Sequence, residues 1–315
     1  MTNFEARGES MKTDMAELRR KIIKVAGEGC MDFTGFASVD RFNGVHNRMR
    51  PEAHLNDAKC VVSIGIRYPL AMYENAGRTK AESYMSMDMY ENNAMETALL
   101  QAAMDVARTL EDFGFNAVPI TTKMYRVQPY KDIKECWTQD FRNDVAAVAA
   151  GHGELGFNGV VITPKYGTRQ MFTSVVTDAP IDADKMYEGP ALCDKCMKCV
   201  QACKMNAISS KDYDKVVVGD KNFYVVKKDK WRCMWSKKFM LNAEMGPRLH
   251  GMNVSVEPPK GEIAEDDVRK ALSEKGQKGG LQTWYTYSMR ECERECVPPH
   301  LRGVDLVKKY AKSAE

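Results

Sequence analysis

Long apolar runs are missing from this sequence: no stretch of its 315 residues approaches the roughly eighteen apolar residues that a membrane-spanning helix needs, which excludes such a span. A dominant charge is missing too. Lys and Arg number 46 against 43 Asp and Glu, a net +3 spread along the chain, so composition gives no case for a nucleic-acid groove or an anionic membrane surface, although contact with RNA stays open. No internal repeat of about 20 to 50 residues is evident, which sets aside solenoids and propellers. An export signal is absent as well: Arg19-Arg20-Lys21 is followed by no apolar core segment, and the stretch reads as an amphipathic helix. A soluble cytoplasmic protein is therefore expected.

What is present is cysteine. Ten cysteines without an export signal point to a reducing compartment, where thiols act as metal ligands or catalysts more readily than they form disulfides. Seven fall in the last 125 residues. Cys193-x2-Cys196-x2-Cys199-x3-Cys203 is the spacing that lets three thiolates of one tight loop grip three corners of an iron–sulfur cubane, while the fourth leads into a helix. Zinc is the alternative, but a tetrahedral zinc site usually draws on two cysteine pairs separated by a longer loop. Cys292-x3-Cys296-Val-Pro298 resembles the tail of a bacterial ferredoxin motif, whose last cysteine reaches back to the first cluster.

That resemblance implies one cluster on Cys193, Cys196, Cys199 and Cys296 and a second group on Cys203, Cys233 and Cys292. The second set has three thiols, because Met289 stands where a further ligand would begin. A three-iron cluster, a four-iron cluster with a non-cysteine ligand, and no second cluster all fit. Cys30 and Cys60 read as core packing, whereas Cys136 lies in a mixed segment that suits a pocket wall.

Periodicity supplies the elements. Apolar residues at helical spacing predict helices over 15–26, 95–113 and 145–150, and strands are expected at 32–37, 60–66, 115–120, 160–163 and 171–177. Their irregular alternation predicts an α+β domain over residues 1–186, followed by a cysteine-rich domain over 187–315. Within the latter, 236–285 reads as a surface insertion with one helix near 266–275.

Ala26-Gly-Glu-Gly-Cys-Met-Asp-Phe-Thr-Gly-Phe-Ala37, Ala58-Lys-Cys-Val-Val-Ser-Ile-Gly65 and, most densely, Ala150-Gly-His-Gly-Glu-Leu-Gly-Phe-Asn-Gly159 through Pro164-Lys-Tyr-Gly167 resemble the corrinoid-dependent reductive dehalogenases and, more distantly, the epoxyqueuosine reductases. The resemblance implies a nitroreductase-like cobalamin-binding domain, with the cofactor's lower base detached, followed by a bacterial ferredoxin-like iron–sulfur domain. Gly151, Gly153, Gly156, Asn158, Tyr166, Gly167 and Arg169 would line the corrinoid. Tyr90, or alternatively Tyr84, would supply the proton, and Asp140 lies near the place where epoxyqueuosine reductases carry an aspartate.

The implied activity is the reductive removal of a substituent from a small organic substrate, with electrons from a low-potential donor such as ferredoxin or flavodoxin. The alternatives are a tRNA-modifying enzyme of the epoxyqueuosine reductase kind, and an electron-transfer protein that reduces a corrinoid partner. His152 and Lys204 depart from residues usual at their positions in the family.

Overall fold

A computed structural model describes residues 14–75, 90–121, 140–237, 241–242, 256–279 and 291–309. Its centre is a four-stranded antiparallel sheet in the order β1-β2-β6-β3, formed by β1 (Phe33–Ser38), β2 (Cys60–Arg67), β3 (Ala117–Pro119) and β6 (Gln170–Thr177). β2 and β6 pair along their whole lengths, with Val62 opposite Val175 and Ile64 opposite Thr173. β2 is buried from Cys60 to Gly65, as a strand covered on both faces must be.

Alternation along β2 feeds two separate cores. Cys60, Val62 and Ile64 face helices α1 (Met15–Glu28) and α2 (Glu96–Asp112), which contribute Leu18, Ile22, Ala26, Val106 and Leu110. The spacing of those residues puts them on one stripe of each helix. Asp14 starts α1 by accepting the Ala16 amide at 2.8 Å. Val61 and Val176 point to the opposite face, where α3 (Asn143–Ala149) buries its Val and Ala side chains. Asn143 ties α3 to the sheet, with its side chain contacting Ser174 Oγ at 2.8 Å and donating to the Thr121 carbonyl at 3.0 Å.

Two short strands, β4 (Glu154–Leu155) and β5 (Val161–Ile162), close the glycine-rich loop after α3. The hairpin β7 (Ile208–Val218) and β8 (Lys221–Lys228) was not expected from sequence. Although it follows residue 186, its Val216, Val218, Phe223 and Val225 pack in the α3 core. The same hairpin places Ile208 and Val226 in the cysteine-rich core, so the two cores share one ribbon.

The cysteine-rich core also takes Trp231, Met234 and Trp235 from α5 (Lys230–Lys237), Ile263 from the segment before α6 (Glu265–Gly279), and Val268 and Ala271 from α6 itself. The helix expected near 266–275 is present. Its buried side belongs to the core that carries the thiols rather than to a surface insertion.

Candidate metal centre and the adjoining glycine loop

The first cysteine loop bends sharply. Lys195 and Met197, the residues just before Cys196 and two before Cys199, both adopt left-handed backbone (φ 54° and 60°). For residues with a Cβ this costs about 1 kcal/mol each, and it turns the chain tightly enough to send successive cysteines to one side. The short helix α4 (Lys198–Gln201) then carries Cys199 inward. Asp194 forms a paired ionic contact with Arg302, at 2.7 and 2.8 Å, which fastens this loop to the chain that follows Cys296. That contact holds the Asp194 carboxyl at about 2, below the usual carboxylate range.

The structure places the C-terminal thiols in two overlapping sets that share Cys292. The thiols of Cys193, Cys199, Cys196 and Cys292 neighbour that of Cys296. Burial, and then the proximity of Cys292, pushes the Cys199 thiol up to about 11, and Cys296 is pushed up further for the same kinds of reason. Thiols crowded in this way resist ionising together until a cation offsets their charge. The second group lines a small cavity: Cys203 from the turn after α4, Cys233 from α5 and Cys292 from α7 (Glu291–Arg294), with Met205, Ala207, Ile208 and Lys228 as the other walls.

Two backbone amides point at sulfur. Phe157 N lies 3.3 Å from Cys193 Sγ, and Ala207 N lies 3.3 Å from Cys203 Sγ. Such donors favour the thiolate and tune the potential of a bound cluster. Among the described residues no three His, Cys, Asp or Glu side chains draw together closely enough to hold a single ion.

The glycine loop abuts the thiols. Phe157 is buried among Cys199, Cys203 and Cys292, and its carbonyl accepts the Val226 amide at 2.8 Å. Asn158 is wholly buried and donates its side-chain amide to the Cys292 carbonyl.

The glycines assigned to a corrinoid serve the chain's own packing. A Cβ on Gly153 would overlap the Ile162 carbonyl, and one on Gly151, whose φ is 84°, would overlap the Lys185 carbonyl. At Gly156 it would meet Ile162 Cδ1 at 2.7 Å, and at Gly167 it would meet Pro298 Cδ at 3.2 Å.

The neighbouring Tyr166 and Arg169 are different. Arg67 and Arg169 both stack on the Tyr166 ring, at 5.3 and 5.4 Å, and Arg169 donates to the Tyr68 carbonyl at 2.6 Å. Among the described residues Arg169 Nε is buried without an acceptor. Burial, followed by the Arg67 charge, holds its pKa below the ordinary arginine value. An acceptor such as a corrinoid's peripheral amide carbonyl would satisfy that donor, so on this side the residues fit the cofactor.

Of the expected proton donors, Tyr90 stands 60% exposed at the start of the helical turn leading into α2, and Tyr84 lies outside the described residues. Asp140 is exposed, and its backbone carbonyl contacts His54 Nε2 at 3.2 Å. Cys30 is exposed, Cys60 is fully buried, and Cys136 and Met289 lie outside the described residues.

Sequence reasoning gave no role to His152 beyond noting its departure from the family. The ring stacks on Phe172 at 5.4 Å and 10°, meets Phe33 edge-on at 5.3 Å, and lies over Gly35, where a Cβ would come within 2.8 Å of its Cε1. Burial lowers its pKa to about 4, so at neutral pH it is an uncharged aromatic ring in an apolar place. Among the described residues no helix is long and apolar enough to cross a membrane.

No protein-family model matches the chain. Among curated proteins, it is 24% identical over 220 residues to an epoxyqueuosine reductase of Lactococcus garvieae (strain Lg2), a span covering 62% of this chain and 57% of that protein. It is 41% identical over 73 residues to a tetrachloroethene reductive dehalogenase of Desulfitobacterium hafniense, covering 22% of this chain and 13% of the relative. Among solved structures, a catabolic reductive dehalogenase superposes with a TM-score of 0.54 at 17% identity, over 84% of this chain and 35% of that one. Homologues of this chain thus include epoxyqueuosine reductases over a broad span and reductive dehalogenases over a part. The chain spans little more than half the length of the first of these relatives.

Proposed function

We propose that this protein is an iron–sulfur-dependent reductase, in which thiols of the C-terminal core hold redox clusters that feed single electrons to a corrinoid beside the α+β sheet. The observation that carries the reading is the contact between loop and thiols. Phe157 N and the Asn158 side chain reach Cys193 Sγ and the Cys292 carbonyl, so the glycine loop and the sulfur groups are one packed unit.

In this reading Cys193, Cys196, Cys199 and Cys296 hold one cluster, and Cys203, Cys233 and Cys292 hold the second. The Phe157 and Ala207 amides stabilise thiolate charge. The buried faces of Phe157, Met205 and Trp235 keep water from the sulfurs. Tyr166 and Arg169 hold the corrinoid periphery, with Arg169 Nε as donor. When bound, a corrinoid supplies a cobalt centre that accepts electrons one at a time and attacks or reduces an organic substrate. Tyr90 is exposed and serves as an acid only where a bound substrate covers it; Tyr90→Phe should abolish turnover while leaving metals bound.

The substrate in the leading reading is a small organic molecule that loses a substituent. The second reading, epoxyqueuosine reduction in tRNA, is favoured by the broader of the two curated matches, which extends over 220 residues. Its distinguishing property is retention of tRNA that falls steeply with salt, because phosphate contacts release counterions.

The test is strictly anaerobic reconstitution with iron, sulfide and cobalamin, followed by assay of iron, sulfide and cobalt after desalting. Iron and sulfide in cluster proportion with bound cobalt is the expected result. Zinc, or no metal, at these sulfurs would overturn the reading, and clusters without cobalt would reduce it to an electron carrier.

A further inference from the structure

Three cysteines far apart in sequence, Cys203, Cys233 and Cys292, line one cavity beside the second turn of the cysteine loop. Among the described residues its remaining walls are Met205, Ala207, Ile208 and Lys228. None of these offers a thiolate, imidazole or carboxylate, and a protonated lysine has no lone pair to give a metal. In the reading above the neighbouring site takes four thiols, Cys193, Cys196, Cys199 and Cys296; Cys292, which also lies near Cys296, lines this cavity, so the two sites differ in ligand number although they share a core. A cubane has four irons, each with one outward position. Three thiolates occupy three of these and leave the fourth iron to solvent or to an added ligand.

We propose that the Cys203, Cys233 and Cys292 site holds a four-iron cluster with one exchangeable iron, an open position for small anionic or thiol ligands and the point at which the cluster responds to oxidation. This rests on the iron–sulfur reading above. The response is balanced as follows. The cluster in its 2+ state gives a three-iron cluster in its 1+ state, one ferrous ion and one electron, and the electron passes to a one-electron oxidant such as ferricyanide. In the reverse direction the three-iron cluster takes one electron from dithionite and then binds one ferrous ion. All four sulfides and all three thiolates stay in place throughout. The apolar walls formed by Met205, Ala207 and Ile208 shelter the three-iron form from further loss.

The test uses the anaerobically reconstituted full chain. Ferricyanide titration should release about one ferrous ion per chain into a ferrous chelator, with the near-isotropic EPR signal of an oxidised three-iron cluster growing in parallel. Ferrous ion plus dithionite should abolish that signal. Cys233→Ser should remove the signal while the reduced four-iron spectrum of the other site persists. Ala207→Cys, which offers a fourth thiol from the cavity wall, should suppress iron release by at least about tenfold.

Two four-iron spectra that both survive ferricyanide would overturn the inference and leave the reductase reading standing, as would a wild-type iron release that Cys233→Ser does not change. Zinc or no metal at any of the seven sulfurs would fell the reductase reading itself, and this inference with it.

Discussion

The side-chain amide of Asn158 donates to the backbone carbonyl of Cys292 at 2.9 Å, and neither group is accessible to water in the folded chain. A loop of the sheet domain therefore sets the position of backbone that carries a thiol of the second site.

Replacing Asn158 by Ala removes the buried hydrogen bond to the Cys292 carbonyl and opens a small void. The expected cost is about 1–3 kcal/mol in a denaturant titration, together with faster iron loss from the Cys203, Cys233 and Cys292 site than from the other. Equal stability and equal iron retention in the variant would show that the contact is incidental.

His152 gives stability a pH dependence whose sign is fixed. Its folded pKa, about 4, lies below the unfolded value of 6.5, so the unfolded chain binds the proton more tightly. Its contribution is fully present above pH 6.5 and drains away as pH falls from 6.5 toward 4, by at most about 3 kcal/mol. Unfolding free energies of wild type and His152→Phe, measured across that window, should differ in slope and run parallel above it.

Two glycines should behave oppositely. Gly153→Ala drives a Cβ into the Ile162 carbonyl and should cost several kcal/mol, roughly 3 or more, or prevent folding. Gly27 lies inside α1 with nothing within 4 Å of an added Cβ, and Gly27→Ala should stabilise by about 0.5–1 kcal/mol through helix propensity. Thermal midpoints of the two variants decide both claims.

Native alkylation should separate the cysteines outside the C-terminal thiol groups. Burial pushes the Cys60 thiol up to about 12, and the thiolate is the reactive form, so brief iodoacetamide treatment at pH 8 should leave it untouched while exposed Cys30 is modified. Peptide mass spectrometry reads the outcome directly; labelled Cys60 in folded protein would contradict the packing around β2.

Much of this molecule was legible in the chain. Leu18, Ile22 and Ala26, like Leu99, Val106 and Leu110, recur at helical spacing because each set fills one stripe against the sheet. The close spacing of Cys193 to Cys203 signalled a single tight loop for the same local reason.

The hairpin of β7 and β8 escaped because Ser210 to Lys215 are all exposed and mostly charged, so no alternation of apolar and polar residues marks a strand there. Ile263, Val268 and Ala271 escaped because single apolar residues scattered along a polar segment look like surface until Trp231 and Trp235 are seen opposite them. The glycines of the 151–156 loop were legible as points of close approach. What approaches them is the backbone at Ile162 and Lys185, and that depends on distant parts of the chain meeting.

Val216, Val218, Phe223 and Val225 anchor one end of the hairpin beneath the sheet, while Ile208 and Val226 anchor its other end among the sulfurs. A polypeptide cut after residue 186 would lose four apolar plugs from its first half and expose the greasy underside of α3. Damage that loosens the cysteine-bearing end would tug on the same ribbon, so an injury there should unsettle the packing of α3 as well.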